Sequence, residues 1–394
     1  MNISGVIAEF NPLHNGHKYL IDRAKSESDA IICIMSGNFV QRGDIALLSK
    51  FDRAKMAIDA GIDVCIELPT PWAMATAQTF AGGAVSILHR LGVVNKLFFG
   101  SECGDIALLE RAADLCLDTN FMEMITSQLK NGTTFAAARQ TVAGRIDPDA
   151  AEILNSPNDI LGIEYICAIN REKSSMEPVC IKRQGVAHDG EKAQDNYLSA
   201  SQIRKIVAQE NFDILKPYMP KFCFDLLKDA NTACLARIET DILGKLRRTS
   251  IKDLKELPDI SEGIENRLAN AAKSAVSLEE MYNLVKTKRY TMSRVRRLVM
   301  SAYLDLKAGY LQSPVPYARV LGFSEKGEEI IKNSNKNSDI PLIMRTGDIE
   351  KIGPQAKQIF EVESGATDLY ALSLKYPLPC GTEYTQKIIK GELL

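Results

Sequence analysis

Short apolar runs alternate with amphipathic stretches through the first half of the chain. "NISGVIAEF" opens as a strand, and a helix follows from about His17. "DAIICIMS" (29–36) is a short β-branched run, "FDRAKMAIDA" (51–60) is helical and "IDVCIELP" (62–69) is a third strand. A long apolar helix within 73–91 leads to a fourth strand, "KLFFGSE" (96–102). "SPNDILGIEYICAI" predicts a helix capped at Ser156 with Pro157 in its first turn. "MEPVCIKRQG" predicts a fifth strand, and "SASQIRKIVAQE" a helix entered through serine. Strands alternating with helices predict βαβ units and a parallel sheet covered on both faces. The fold class is therefore α/β, with a Rossmann-like domain over residues 1–210. From 211 the period becomes helical, and "IPLIMRT" (340–346) is a rare strand candidate. A mainly helical second domain, 211–394, is expected, with a small α/β part near its C-terminal end.

Composition narrows the classes. Of 394 residues, 45% are hydrophobic and 25% charged, which suits a large water-soluble core and argues against disorder. Apolar runs are too short to span a bilayer, and no charged-then-apolar leader precedes the first strand, so neither membrane insertion nor export is expected. Nine cysteines without CxxC spacing suit reduced thiols in a cytoplasmic protein better than a zinc or disulfide framework. A net charge of −2 excludes a globally basic nucleic-acid binder, so contact with a polyanion needs a local patch. "KTKRYTMSRVRR" is such a patch, with Lys286, Lys288, Arg289, Arg294, Arg296 and Arg297 in twelve residues. It reads either as a solvated helix face or, with Tyr290 interleaved, as an RNA surface.

The chain has four histidines, and two of them fall in "NPLHNGHKYL", at the first strand-to-helix turn. In an open parallel sheet, ligands bind beyond the carboxyl ends of the strands, where helix N-termini offer free N–H groups. His14 and His17, with Gly16 allowing close approach, suit charge developing on an α-phosphate during in-line attack. Both lie at a turn expected to face solvent. Spacing alone leaves a metal pair or two structural histidines open. A metal would need a third ligand, which neither His89 nor His188 supplies in a recognisable motif; no metal site is expected.

"GVIAEFNPLHNGHKYLIDRAK" resembles the (T/H)xGH signature of the nucleotidyltransferase superfamily. "LSASQIRK" is similar to its second signature, a serine-rich helix start ending in arginine. A longer set of segments extends the likeness: "SGNFVQRGDIALLSKFDRAKMAIDAGIDVCIELP", "FFGSE", "SPNDILGIEY", "IKRQG", "KTKRYTMSRVRRLVMSAYL" and "PYARVLGFSEKG". Together they resemble the bacterial tRNA(Met) cytidine acetate ligase family. The resemblance implies an enzyme that activates acetate with ATP as acetyl-adenylate; Mg²⁺ with ATP is the ordinary expectation, and metal dependence stays open. It also implies acetyl transfer to N4 of the wobble cytidine of elongator tRNA(Met), with no protein partner required.

On that resemblance His14 and His17 are catalytic. The nucleotide pocket takes Ile7, Ala8, Glu9, Phe10, Asn11 and Gly16 from the first strand end, Gly100 and Ser101 from the fourth, and Asn158 from the following helix start. Arg183 and Gln184 leave the fifth strand, and Ser199, Ser201 and Arg204 would hold the outer phosphates. Ser36, Gly37, Asn38, Gln41, Arg42 and Lys50 are candidates for acetate, cytidine or tRNA backbone, without assignment among the three. The 286–297 cluster is the implied tRNA surface. A metabolite adenylyltransferase explains the two signatures but leaves the C-terminal half without a task. A catalytically dead tRNA-binding factor would have no use for His14, Gly16, His17 and Arg204.

Overall fold

The computed structural model describes residues 1–129, 133–183, 197–261 and 263–391. Its strands are β1 (Ile3–Ala8), β2 (Ala30–Ser36), β3 (Phe39–Val40), β4 (Asp44–Ile45), β5 (Val64–Leu68), β6 (Lys96–Ser101), β7 (Glu177–Lys182), β8 (Ala318–Phe323), β9 (Leu342–Ile343) and β10 (Ile389–Lys390). The central five run parallel in the order β5-β2-β1-β6-β7. β2 is buried at all seven positions, as expected of a strand covered on both faces. Order reverses at β1, whose neighbours are β2 on one side and β6 on the other, so the crevice lies beyond the ends of β1 and β6.

The two faces are built from different helices. On one, Ile32, Ile34, Ile66 and Phe99 pack under helices Ala77–Arg90 and Pro157–Arg171. On the other, Cys33, Met35, Cys65 and Phe98 meet helices Asn15–Ser26, Lys50–Asp59 and Ala200–Ala208. The long helix expected within 73–91 is two: Thr70–Ala73 and Ala77–Arg90. Thr76 starts the second by accepting the N–H of Thr79 at 3.3 Å.

The second half is joined to the first more closely than its sequence pattern implies. Helices between 239 and 303 form their own core around Ile242, Leu268, Met281, Val295 and Leu298. Yet Leu215, Cys223 and Leu227 pack on the first sheet. β8, buried at all six positions, lies antiparallel to β5, and both β9 and β10 pair with β8. The C-terminal α/β part is thus an extension of the main sheet. The "IPLIMRT" strand shrinks to Leu342–Ile343. No helix among the described residues is long and apolar enough to cross a membrane.

Candidate active site

Beyond β1 the chain turns through Phe10, whose φ is +45°, and a cis Asn11–Pro12 bond into helix Asn15–Ser26. Buried Arg53 braces this turn from below. Its guanidinium donates to the carbonyls of Glu9 (2.6 Å), Ser36 (3.1 Å), Leu48 (3.1 Å) and Gly37. One side chain thereby ties the ends of β1 and β2 together. Asn11 accepts the N–H of Leu47 at 2.8 Å through its side chain, and its carbonyl accepts from Arg204 at 2.8 Å.

The histidines are folded into the helix start. His14 is the N-cap, and its Nδ1 accepts from Gly16 N–H at 3.0 Å. His17 reaches back, its Nδ1 accepting from His14 N–H at 3.3 Å. A ring nitrogen that accepts carries no proton, so the proton of each neutral imidazole sits on Nε2. Burial, with Arg183 adding to it, pushes His14 down to about 3. Burial, then His14, then Arg183, holds His17 well below its ordinary range. The rings stack with centroids 3.9 Å apart, and Phe10 meets His17 edge-on at 5.2 Å. A Cβ at Gly16 would lie 2.9 Å from His14 Cε1, so the stack requires glycine there. The turn is less open than its sequence implied: His14 is 4% exposed, and His17 is half-buried. The product is two adjacent neutral Nε2–H donors held in place by the backbone.

At the end of β6, buried Asp159 accepts from Ser101 Oγ (2.6 Å) and from the N–H groups of Glu102 (2.7 Å) and Cys103 (3.2 Å). The Ser101 hydroxyl is therefore engaged in the fold, and Gly100 is the member of that pair packed against Arg183. Asn158 donates to Glu102 Oε1 at 2.6 Å and accepts from Arg183 at 3.3 Å. Gln184 lies outside the described residues. Across the crevice Ser199 caps helix Ala200–Ala208 in a reciprocal box with Gln202, and the Ser201 hydroxyl lies 2.9 Å from that of Ser199.

The segment after β2 divides its candidates. Ser36 is fully buried and its hydroxyl has no partner among the described residues. Lys50 is not an exposed loop cation. It is fully buried and paired with Glu67 and Glu383, with Glu363 3.9 Å away. Arg319 of β8 closes the group on Glu67 (3.3 Å) and Glu383. Asn38 joins it, accepting Lys50 N–H at 2.8 Å and donating to Thr367 at 3.1 Å. Gly37 sits tight against Glu67, with room for no Cβ. Lys50, Asn38 and Gly37 thus form a floor, because Lys50 and Arg319 satisfy Glu67 and Glu383 out of water, with the Glu363 carboxyl beside them. Gln41 and Arg42 form the tip of the hairpin β3–β4 above it. Glu9 fixes that tip by accepting Gln41 N–H at 2.8 Å.

The hairpin also reaches the helical half. Phe39 and Ile45 are buried in its core, and Gly43 (φ +71°) lies against the backbone of Arg296 and Arg297. The basic cluster is not a single helix face. Lys286, Lys288 and Arg289 lie in the loop before helix Met292–Tyr303 and are exposed, as is Arg296, which stacks over Tyr282. Arg294 and Arg297 turn inward onto Asp259, at 3.3 and 2.9 Å. Arg53, Asp159, Glu67, Arg319 and Glu383 were not visible as parts of the site in the sequence. Glu67 in "VCIEL" and Arg319 in "ARVLGF" had one signal, a charged residue within an apolar strand; Arg53, Asp159 and Glu383 had none.

Among the described residues no group of three His, Cys, Asp or Glu side chains could hold a metal ion. A parallel sheet reversing at β1, with HNGH after β1 and SASQIR closing the far side, defines a nucleotidyltransferase of the HIGH class. The family model described as HIGH Nucleotidyl Transferase matches residues 1–383. Curated tRNA(Met) cytidine acetate ligases are its similar relatives. That of Acetivibrio thermocellus is 37% identical over 414 residues, covering 99% of this chain and all of the relative. That of Clostridium perfringens is 37% identical, covering 94% and 95%. The apo crystal structure of Thermotoga maritima TmcAL superposes with a TM-score of 0.94 at 29% identity, covering 99% of each chain. The same protein bound with alpha-thio ATP gives 0.91. The chain belongs to the tRNA(Met) cytidine acetate ligase family.

Proposed function

We propose that this chain activates acetate with ATP and acetylates N4 of the wobble cytidine of elongator tRNA(Met). An acetate oxygen attacks the α-phosphorus, the bond to the bridging oxygen of the β-phosphate breaks, and pyrophosphate leaves. Acetyl-adenylate remains. The cytidine amine then attacks the acetyl carbonyl, AMP departs, and the N4 nitrogen loses a proton. The observation that carries this reading is the stacked pair of neutral histidines, whose tautomers are fixed by backbone donors. Two preorganised N–H donors serve charge that grows on a phosphoryl oxygen, and need no protein nucleophile.

Arg204, Ser199 and Ser201 face the outer phosphates in this scheme, with Asn158, Arg183 and Gly100 on the α-phosphate and nucleoside. Gln41 and Arg42 stand where the nucleotide edge and the helical half meet, and take the acceptor side. Lys286, Lys288, Arg289 and Arg296 contact tRNA phosphates. A reducing cytoplasm suits the nine unpaired cysteines and the tRNA acceptor. The test incubates the protein with ATP, labelled acetate and total tRNA, followed by mass analysis of nucleosides. N4-acetylcytidine at one position of elongator tRNA(Met), with AMP and pyrophosphate, is the expected result. Adenylylation of a small metabolite with unmodified tRNA refutes it.

A further inference from the structure

Glu102 stands beside the candidate nucleotide residues and has no part in the scheme above. It follows β6 directly, at the crevice where strand order reverses. Its backbone is fixed, because its N–H donates to buried Asp159 at 2.7 Å. Its side chain is fixed as well, because Oε1 accepts from Asn158 Nδ2 at 2.6 Å. The same contact sets the Asn158 amide, leaving Oδ1 to receive Arg183 at 3.3 Å. Carboxylate, amide and guanidinium therefore form one ordered chain. The other carboxylate oxygen, Oε2, is shielded from water and has no hydrogen-bond partner among the described residues. A carboxylate oxygen removed from water without a donor is costly, so such an atom at a binding crevice points to a donor on the ligand.

Resting on the ATP-dependent reading above, we propose that Glu102 is a specificity-determining residue for the nucleoside of ATP. Oε2 accepts a hydrogen bond from a ribose hydroxyl or the adenine amino group, while Oε1 orients Asn158 and through it Arg183. Phosphates are excluded as its ligand, since they offer acceptors only and repel a carboxylate. Unlike the histidines, the Oε2 contact acts on binding and not on the transition state, so its loss, with an oxygen kept for Asn158, appears in KM.

The test measures equilibrium binding of ATP, 2′-deoxy-ATP, 3′-deoxy-ATP and purine riboside triphosphate to the full chain, with acetate-dependent ATP–pyrophosphate exchange alongside. The wild type is expected to bind the analogue lacking the contacted donor about ten- to a hundredfold more weakly than ATP, as for a hydrogen bond to a charged group. Glu102→Gln should weaken ATP by a similar factor, bind that analogue as well as ATP, and raise KM with kcat of exchange within about threefold. Glu102→Asp keeps the charge but retracts the oxygen by one methylene, and should lose the same discrimination. A wild-type profile in both variants overturns the proposal, as does a wild type that binds all four nucleotides equally. Loss of transfer to tRNA with nucleotide binding unchanged also overturns it, and moves Glu102 to the acceptor side. A wild type that binds no ATP overturns the ligase reading itself.

Discussion

Replacing Glu363 and Glu383, each by glutamine, sets two chemically identical changes in one buried group against each other. Lys50 and Arg319 supply two positive charges, and Glu67, Glu383 and Glu363 surround them. Burial pushes Glu383 up, but Lys50 and Arg319 together outweigh it and hold it down at about 2. Burial, with Glu67 adding and Lys50 opposing, pushes Glu363 up to about 8. At pH 7 Glu363 is then neutral, and two cations face two carboxylates. Glu383→Gln strands a buried cation, which costs about 3–5 kcal/mol. Glu363→Gln swaps a neutral acid for a neutral amide of the same shape. It keeps an oxygen for the N–H of Thr70 and should cost under about 1 kcal/mol. The pH dependence differs in sign. With its folded pKa raised, Glu363 keeps a proton that the unfolded chain releases above 4.5. Stability therefore falls as pH rises from 4.5 towards 8, by up to about 1.4 kcal/mol per unit. Glu363→Gln should flatten that fall. Glu383, with its folded pKa lowered, stabilises above 4.5 and loses that contribution as pH falls towards 2. The chain's single tryptophan, Trp72, lies two residues from Thr70 and is buried, so its fluorescence in urea titrations at pH 5, 6, 7 and 8 reads this region. Equal losses in the two variants at pH 7, or an unflattened profile in Glu363→Gln, would refute the charge assignment.

Three further outcomes are expected. His17→Ala should lower acetate-dependent ATP–pyrophosphate exchange by roughly 10²–10³-fold, while the wild-type rate, resting on histidines already neutral, shows no histidine titration near pH 6.5; a loss within a few-fold removes His17 from the chemistry. Substituting Lys286, Lys288, Arg289 and Arg296 by alanine should spare exchange, abolish tRNA acetylation and flatten the salt dependence of tRNA binding, which in wild type should be about 0.7–0.9 log units per log unit of salt for each phosphate; unchanged binding would make the cluster a solvated surface. Gly43→Val places a Cβ 2.4 Å from Arg297 N at a φ of +71°, so transfer to tRNA should fall further than exchange does, and a proportional fall in both would deny the hairpin a role on the acceptor side.

What the sequence disclosed was local. The alternation of β1, β2, β5, β6 and β7 with helices is written in contiguous apolar periods, and the HNGH turn falls at the one strand end where order reverses. The helix entered through serine was legible because the cap Ser199 and its partner Gln202 are three residues apart. Partnerships across the chain were not legible. β8 is interrupted by Gly322, and the strand that makes it a strand, β5, lies roughly 250 residues earlier. Lys50 resembles a loop cation until Glu383 is set beside it, and Arg294 resembles an RNA contact until Asp259 is. Ionic residues carry no periodic mark of being buried, so their destination is settled by the fold.

The buried group around Lys50 also has a bearing on synthesis. Asn38 waits for a partner 329 residues further along the chain, and Thr70 for one 293 residues on. At about 5–20 residues per second, the hairpin floor stands without Thr367, Glu363, Glu383 and Arg319 for tens of seconds. During that interval Lys50 and Glu67 have only each other, and the β5 edge has no β8 to cover it. A nascent chain in this state carries the complete HNGH turn on an unfinished floor, with a bare strand edge as a handle for chaperones. Ribosomes that stop after the basic cluster but before residue 318 would release a protein with every histidine and arginine named above except Arg319, standing on a floor that lacks Glu363, Thr367 and Glu383.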